Sequence, residues 1–244
     1  MCGRYALHRD PAALAGEFDA ADRTGDVFDP DYNITPTATV PIVVERAAGS
    51  GAERTLRPVR WGLVPTWAED ASSGPQMVNA RAESLTAKPA YAEAAAHRRC
   101  LMPATGWYEW KPGERVKQPY LCTRRDGRSL AMAAVFSAWW PPDSAAEPLV
   151  TCAVVTTEAV GELAEVHHRM PLVLGEHRRQ EWLDPQRTDV TGLLSVDAAS
   201  LDAMELRPVS EQVNSPRNNH SGLLERVDPA ARPAVAVQPA LFES

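Results

Sequence analysis

Hydrophobic positions along the chain recur mostly with a period of two. Val40 to Arg46 is rich in β-branched residues, and Leu56 to Leu63 returns in the same manner after the small, polar stretch Ala47 to Arg54. The pair predicts a hairpin. Further strands are predicted at the N-terminus, at Leu101–Pro103, Trp107–Trp110, Tyr120–Arg124, Ser129–Trp139, Leu149–Thr156, Pro171–Leu174 and Glu205–Val209. Asp126-Gly127 stands between two of these runs and predicts a tight hairpin turn. A period near 3.6 is confined to short pieces. Asp10-Pro11 reads as an N-cap followed by proline at the first helical position, with Leu14 and Phe18 on one face. Lys88–His97, Glu158–Glu165, Glu176–Leu183 and Val190–Leu194 read as further short helices, Asp29–Pro36 and Glu69–Gln76 as loops. The pattern therefore predicts an α+β fold: a single domain with an antiparallel, barrel-like β-sheet core and short flanking helices. It is expected to span residues 1–222, because the polar, proline-bearing stretch from about Gly222 predicts a loosely ordered C-terminal tail over 223–244.

Composition narrows the class. The 244 residues are 44% hydrophobic and 23% charged, ordinary for a globular protein. No run approaches the roughly 18 apolar residues needed to span a bilayer, and the N-terminus has no signal-peptide core. A cytoplasmic monomer without membrane association is expected. The four cysteines, Cys2, Cys100, Cys122 and Cys152, form no CxxC pair, and the histidines have no zinc-finger spacing. Neither a metal, a cofactor nor a disulfide framework is expected. Cys100, Cys122 and Cys152 lie in apolar runs and read as inert core thiols. The net charge of −7 excludes a generally basic nucleic-acid coat but not a local basic groove. Only Lys88, Lys111 and Lys117 among the 25 basic residues are lysines, and arginine suits bidentate phosphate contacts.

The most unusual chemistry is at the start, Met1-Cys2-Gly3-Arg4-Tyr5. Removal of Met1 ahead of a small residue leaves Cys2 with a free α-amine and a thiol on adjacent carbons. Such an aminothiol forms a Schiff base with an aldehyde and then closes a five-membered thiazolidine. An α-amine, with a reference pKa of about 7.7–8.0, is partly unprotonated at neutral pH, as nucleophilic attack requires. Four more clusters carry candidate chemistry. Asn79-Ala80-Arg81-Ala82-Glu83 offers an amide to orient a bound group and an arginine to grip phosphate. In Gly106-Trp107-Tyr108-Glu109-Trp110, strand alternation puts Trp107 and Glu109 on one face and Tyr108 and Trp110 on the other. A carboxyl desolvated between aromatics has a raised pKa and can serve as a general acid. In Val166-His167-His168-Arg169-Met170-Pro171, adjacent histidines of an extended segment would point apart, leaving one for a site. Trp67, in Trp61-Gly62-Leu63-Val64-Pro65-Thr66-Trp67, can stack on a base or wedge into a duplex step.

Together with Asn33-Ile34-Thr35-Pro36-Thr37, Arg60 to Pro65 and Val209-Ser210 to Val213-Asn214, these motifs occur in an order that resembles the SRAP family, the SOS response-associated peptidase-like proteins that process abasic sites in DNA. The resemblance runs from Cys2 to about Asn219. It implies that Cys2 captures the ring-opened abasic sugar in single-stranded DNA as a covalent thiazolidine crosslink, shielding the site during the damage response. Asn79, Glu109 and His167 are implied as the other catalytic residues. Arg4, Asn33, Trp67, Arg81, Trp110 and Arg169 are implied as contacts to DNA. It also implies self-removal of Met1 by a thiol-peptidase activity, and replication or repair proteins as partners. The departure at His168, where the family often has another residue, favours His167 as the functional histidine. Two alternatives come from other classes. N-terminal-cysteine amidohydrolases such as glutamine amidotransferases also begin Met-Cys-Gly, but they carry an Asn-Gly motif that this chain lacks. A non-catalytic single-strand-binding module would tolerate loss of Cys2.

Overall fold

The structure, a computed structural model, describes residues 2–25, 28–49, 51–113, 117–142 and 146–229. In chain order the elements are β1 (Tyr5–Leu7), α1 (Pro11–Glu17), β2 (Ala21–Asp22), β3 (Asp31–Ile34), β4 (Thr39–Ala48), β5 (Gly51–Trp61), β6 (Asn79–Arg81), α2 (Pro89–His97), β7 (Arg99–Ala104), β8 (Gly106–Lys111), β9 (Gln118–Arg124), β10 (Leu130–Trp139), β11 (Leu149–Glu158), β12 (Arg169–Pro171), α3 (Glu176–Leu183), α4 (Ala198–Leu201) and β13 (Met204–Pro208). Short 3-10 turns lie between several of them.

The strands form two sheets. One runs β13-β9-β8-β1-β3. In the other, β5, β4, β7, β10 and β11 hydrogen-bond in sequence, and a parallel pairing of Thr151 and Cys152 in β11 with Arg60 and Trp61 in β5 closes them into a ring. The barrel-like core read from the alternation is therefore present, largely antiparallel, with its seam parallel. Closure removes exposed sheet edges along that seam. The two sheets meet where the Tyr5 ring packs edge-on against Trp61, ring centroids 5.4 Å apart. One apolar core runs through both, and a second, smaller cluster around Tyr108, Leu121 and Val213 fills the opposite face of the first sheet.

Local signals explain many boundaries. Asp10 caps α1 by accepting from the backbone N–H groups of Ala12 and Ala13, and Leu14 and Phe18 are buried as the periodicity predicts. The β4–β5 hairpin pairs Ala48 with Gly51. Gly106 stands where the chain crosses from the barrel to the other sheet. A β-carbon there would lie 2.6 Å from the Cys122 carbonyl oxygen, so only glycine permits the close pairing of β8 with β9.

Other expectations are corrected. Asp126-Gly127 does turn the chain, but it makes no hairpin. β9 pairs with β8 and β13 while β10 pairs with β7 and β11, so the turn transfers the chain between sheets. Asp31–Ile34, expected as loop, forms the edge strand β3 against β1. Expected helices at 158–165 and 190–194 are only 3-10 turns, Gly161–Glu165 and Thr191–Leu193, and β11 runs on to Glu158. The packed chain also continues beyond position 222. Ser221–Leu224 is a 3-10 turn whose Leu223 is fully buried, and Val227 N–H donates to the Pro208 carbonyl. Residues 230–244 of the expected tail lie outside the described residues. Among the described residues no helix is long and apolar enough to cross a membrane, and no cluster of metal-ligating side chains occurs.

Candidate active site

β1 lies between β8 and the edge strand β3, and this carries the beginning of the chain into the core. Tyr5 is opposite Trp107, and Tyr108 N–H donates to the Arg4 carbonyl. Continued by two positions, the antiparallel register sets Glu109 opposite Gly3 and beside Cys2. Cys2 is fully buried. Burial is the main force raising its thiol pKa, with the Glu109 charge adding; the amino-terminal charge and a backbone hydrogen bond from Arg4 act in the opposite sense. The resting group is thus a thiol, not a thiolate. Met1 itself lies outside the described residues.

Glu109 is buried in an interior strand rather than exposed at an edge. Alternation along β8 holds as expected: Trp107 belongs to the main core beside Cys2 and Cys122, whereas Tyr108 and Trp110 face the smaller cluster. Desolvation raises the Glu109 carboxyl to about 7, against the pull of the amino-terminal charge. A carboxyl with that pKa exchanges protons readily at neutral pH.

Asn79 comes from the short strand β6, which pairs in parallel with β11 through Val154, a non-local contact that sequence pattern does not reveal. Its Nδ2 donates to the Cys2 carbonyl at 2.8 Å, and its Oδ1 is buried without a hydrogen-bond partner. Tyr91 Oη, from α2, donates to the Asn79 carbonyl and braces the strand from behind.

His167 is half-buried and His168 exposed. Burial is the main force lowering the His167 pKa, which favours a neutral ring near pH 7. The His167 Nδ1 lies 3.0 Å from the Arg169 backbone nitrogen and 3.1 Å from the Arg169 carbonyl oxygen, so the backbone of Arg169 holds this edge of the ring in either tautomer. The two histidine rings do not point apart, however. Their centroids are 4.4 Å apart, because the chain bends at 167–168 before entering β12 and the alternation of an extended segment does not apply.

The residues expected to contact DNA divide into two groups. Arg81 is exposed on β6, two residues from Asn79. Arg4 lies with its guanidinium 5.9 Å from the Trp110 ring centroid, its Nη1 donating to Asn33 Oδ1 and to the Val213 carbonyl. Trp110 is half-buried and donates from Nε1 to Asn214 Oδ1. Trp67 is 67% exposed, on the loop after β5. Asn33 and Arg169 are held inside by protein partners. Asn33 is buried, and its Nδ2 is spent on the carbonyls of Val213, Ser215 and Asn218, so it ties that segment down and steadies Arg4. Arg169 is buried too; its Nη1 and Nη2 meet the Glu83 carboxylate at 2.6 and 3.0 Å, and Nη2 also reaches the Thr156 carbonyl. It braces β12 against β11 and, through its backbone, sets His167. Glu83 was visible within the Asn79–Glu83 motif, but nothing in sequence separation pairs it with residue 169.

This division has a measurable consequence. Arg81→Ala is expected to leave the melting temperature unchanged and to reduce the salt slope of single-strand binding by about 0.7, the value for one phosphate contact. Arg169→Ala is expected instead to lower stability by roughly 2 kcal/mol, through loss of charged hydrogen bonds. Thermal melts beside salt titrations separate the two; a reduced salt slope with unchanged stability for Arg169→Ala would return it to the DNA surface.

A mixed two-sheet domain with Cys2 buried beside an amide and a carboxyl is the arrangement found here. The chain belongs to the SRAP family: the model described as "SOS response associated peptidase (SRAP)" matches residues 1–216. It is similar to the abasic site processing protein YoqW of Bacillus subtilis strain 168, 33% identical over 92% of this chain and 99% of the relative. It is also similar to the abasic site processing protein HMCES of Rattus norvegicus, 29% identical over 93% of this chain and 76% of the relative. Among solved structures, a protein of Bacteroides thetaiotaomicron shares the fold at a TM-score of 0.79 and 22% identity, covering 93% of this chain and all of that one. A phage-related protein of Bordetella bronchiseptica aligns at a TM-score of 0.63 and 28% identity, over 86% and 95% of the two chains.

Proposed function

We propose that this protein processes abasic sites in single-stranded DNA by capturing them covalently on Cys2 after Met1 has been removed. The observation that carries this reading is the buried trio at the chain terminus: Cys2, its carbonyl held by Asn79, and Glu109 with a carboxyl raised to about 7 beside it. The names of the relatives supply the substrate class.

The chemistry follows from the groups present. The ring-opened abasic sugar carries an aldehyde at C1′. The Cys2 amine adds to that carbon, and the resulting carbinolamine loses water to give the imine. The Cys2 S–H then adds across C=N: the S–C bond forms and the thiol proton passes to nitrogen, closing the thiazolidine. One water leaves overall. Asn79 Oδ1, buried without a partner, is an acceptor ready for the Cys2 amine. Glu109 supplies a proton to the departing hydroxyl, regains one from the carbinolamine nitrogen as the imine forms, and relays the proton of the thiol, which burial keeps protonated until attack, to the imine nitrogen. Neutral His167, its Nε2 turned away from Arg169, assists proton movement during imine formation. A thiol-dependent cleavage of the Met1–Cys2 bond accounts for the maturation step.

The test is incubation with a single-stranded oligonucleotide holding one abasic site, read on a denaturing gel, with intact mass taken on the same preparation. A heat-stable one-to-one adduct on protein lacking Met1 is expected; an active preparation that retains Met1 sinks the mechanism, since an acylated Cys2 nitrogen cannot form a Schiff base. His167→Ala is expected to slow single-turnover adduct formation or reversal by about 10²-fold or more, the usual worth of a general acid or base. His168→Ala, at an exposed ring, is expected to stay near the parent rate. Equal losses would mean that the adjoining rings act together.

A further inference from the structure

Against a net charge of −7, a basic groove at one end of the barrel stands out. It is a cavity of about 360 Å³ at the end of the barrel where β10 finishes, lined among others by Arg46, His97, Arg98, Arg99 and Trp140. The one carboxylate in its lining, Glu45, is already paired with Arg54 at 2.7 Å. Arg46 and His97 are exposed. Arg98 is paired with Glu93, which lies outside the lining and is itself mostly exposed. Arg99 is a fixed charge whose guanidinium donates to the carbonyls of Ala95, Ala96, Trp182 and Asp184.

The two tryptophans most exposed among the described residues stand at this groove. Trp140, 57% exposed, lines it; Trp67 follows Thr66, which also lines it. Trp139 Nε1 donates to the Ala68 carbonyl at 2.7 Å, tying the loop that bears Trp67 to the strand end that bears Trp140. Trp139 is opposite Leu149 and Asn79 is opposite Val154, so β11 measures the distance from groove to site. Five residues of strand amount to about 17 Å. That is within reach of a strand of about four nucleotides, the lower end of single-strand site sizes.

We propose that this groove is a second single-stranded nucleic-acid subsite, in which a base flanking the lesion stacks on Trp140 while adjoining phosphates lie on Arg46 and Arg98. The proposal rests on the single-strand reading given above and adds to it where the strand goes: from Cys2 past Trp67 to Trp140. Stacking on an exposed indole is indifferent to sequence, and arginine at the rim supplies the affinity that the protein's overall charge denies. Only one side of the lesion reaches the groove, so the footprint is asymmetric.

The test uses abasic and undamaged oligonucleotides whose 5′ and 3′ flanks are lengthened separately from two to six nucleotides. Dissociation constants are measured for the full chain and for Trp140→Ala, Trp140→Phe and Arg46→Ala. For the parent, affinity is expected to rise on lengthening one flank and not the other. Trp140→Ala should weaken binding of the long-flank oligonucleotide by about 5- to 150-fold, the range for one lost base stack, with little change on the short one. Trp140→Phe should keep most of the affinity, and Arg46→Ala should reduce the salt slope by about 0.7. Crosslinking of the short-flank abasic oligonucleotide should be unchanged in all three variants. Parent-like binding of the long oligonucleotide by both Trp140→Ala and Arg46→Ala overturns the subsite, as does tighter binding of poly-glutamate than of the undamaged strand, which would assign the groove to an acidic peptide. If the parent crosslinks no abasic oligonucleotide, the covalent reading fails, and the binding comparison on undamaged strands still decides the groove.

Discussion

Cys2→Ala is expected to abolish the heat-stable adduct with abasic single-stranded DNA, a fall of roughly 10³-fold or more. Ring closure between groups on adjacent carbons carries an effective molarity of about 10⁵ M or above, and no other thiol can replace it. Cys100, Cys122 and Cys152 are all buried within the sheets, and burial raises each of their pKa values. Cys2→Ser keeps the amine and tests the ring separately. It should give at most a hydrolysable adduct that borohydride traps, because the oxygen ring is weaker than the sulfur one. Both substitutions remove or shrink one buried atom, and a melting curve shows that the fold survives. A heat-stable adduct with either variant rules out the thiazolidine. The resting thiol should also alkylate slowly with iodoacetamide at pH 7, since its environment holds it protonated.

Glu109→Gln is expected to slow adduct formation by about 10²- to 10⁴-fold while preserving shape. It should also flatten the inflection near pH 7 in the parent's rate profile, because the carboxyl raised to about 7 is the group that exchanges protons there. The same carboxyl carries a stability signature of opposite sign to an ordinary glutamate. Its folded pKa lies above the unfolded value of about 4.3. Its contribution to stability is therefore fully present below about pH 4.3 and is lost as pH rises through about 7. The glutamine amide of the variant has no charge to bury. At pH 8 the variant should melt above the parent by about 3 °C or more, given that 1 kcal/mol moves a domain of this size by about 2–4 °C. At pH 5 the gap should narrow to roughly a third. A parent and variant with parallel melting curves from pH 5 to 8 would show that Glu109 ionises as a solvated carboxylate does, and the general-acid assignment would go with it.

Local chemistry in the sequence settled a good deal. The period-two runs determined that Val40–Arg46, Leu56–Leu63 and Leu149–Thr156 are strands, since a pleated backbone buries alternate side chains whatever surrounds it. The same alternation placed Glu109 on the face of Trp107. Asp10 and Pro11 determined where the first helix begins, because a cap satisfies N–H groups within a few residues of itself. The ordered motifs from Cys2 to Asn214 were enough to reach the family. What the sequence could not contain were facts that depend on which distant segments become neighbours. That β9 and β10 part at Asp126-Gly127 was decided by their pairing partners, β8 and β13 for the one and β7 and β11 for the other. A turn residue fixes the local dihedrals and not the sheet into which the next strand runs. That the His167 and His168 rings lie side by side was decided by a bend, imposed where the 3-10 turn meets β12. That Asn33 and Arg169 are held inside was decided by the carbonyls of residues 213–218 and by Glu83. A polar side chain read alone looks available to a ligand, and only the tertiary structure supplies the partners that satisfy it when it is buried.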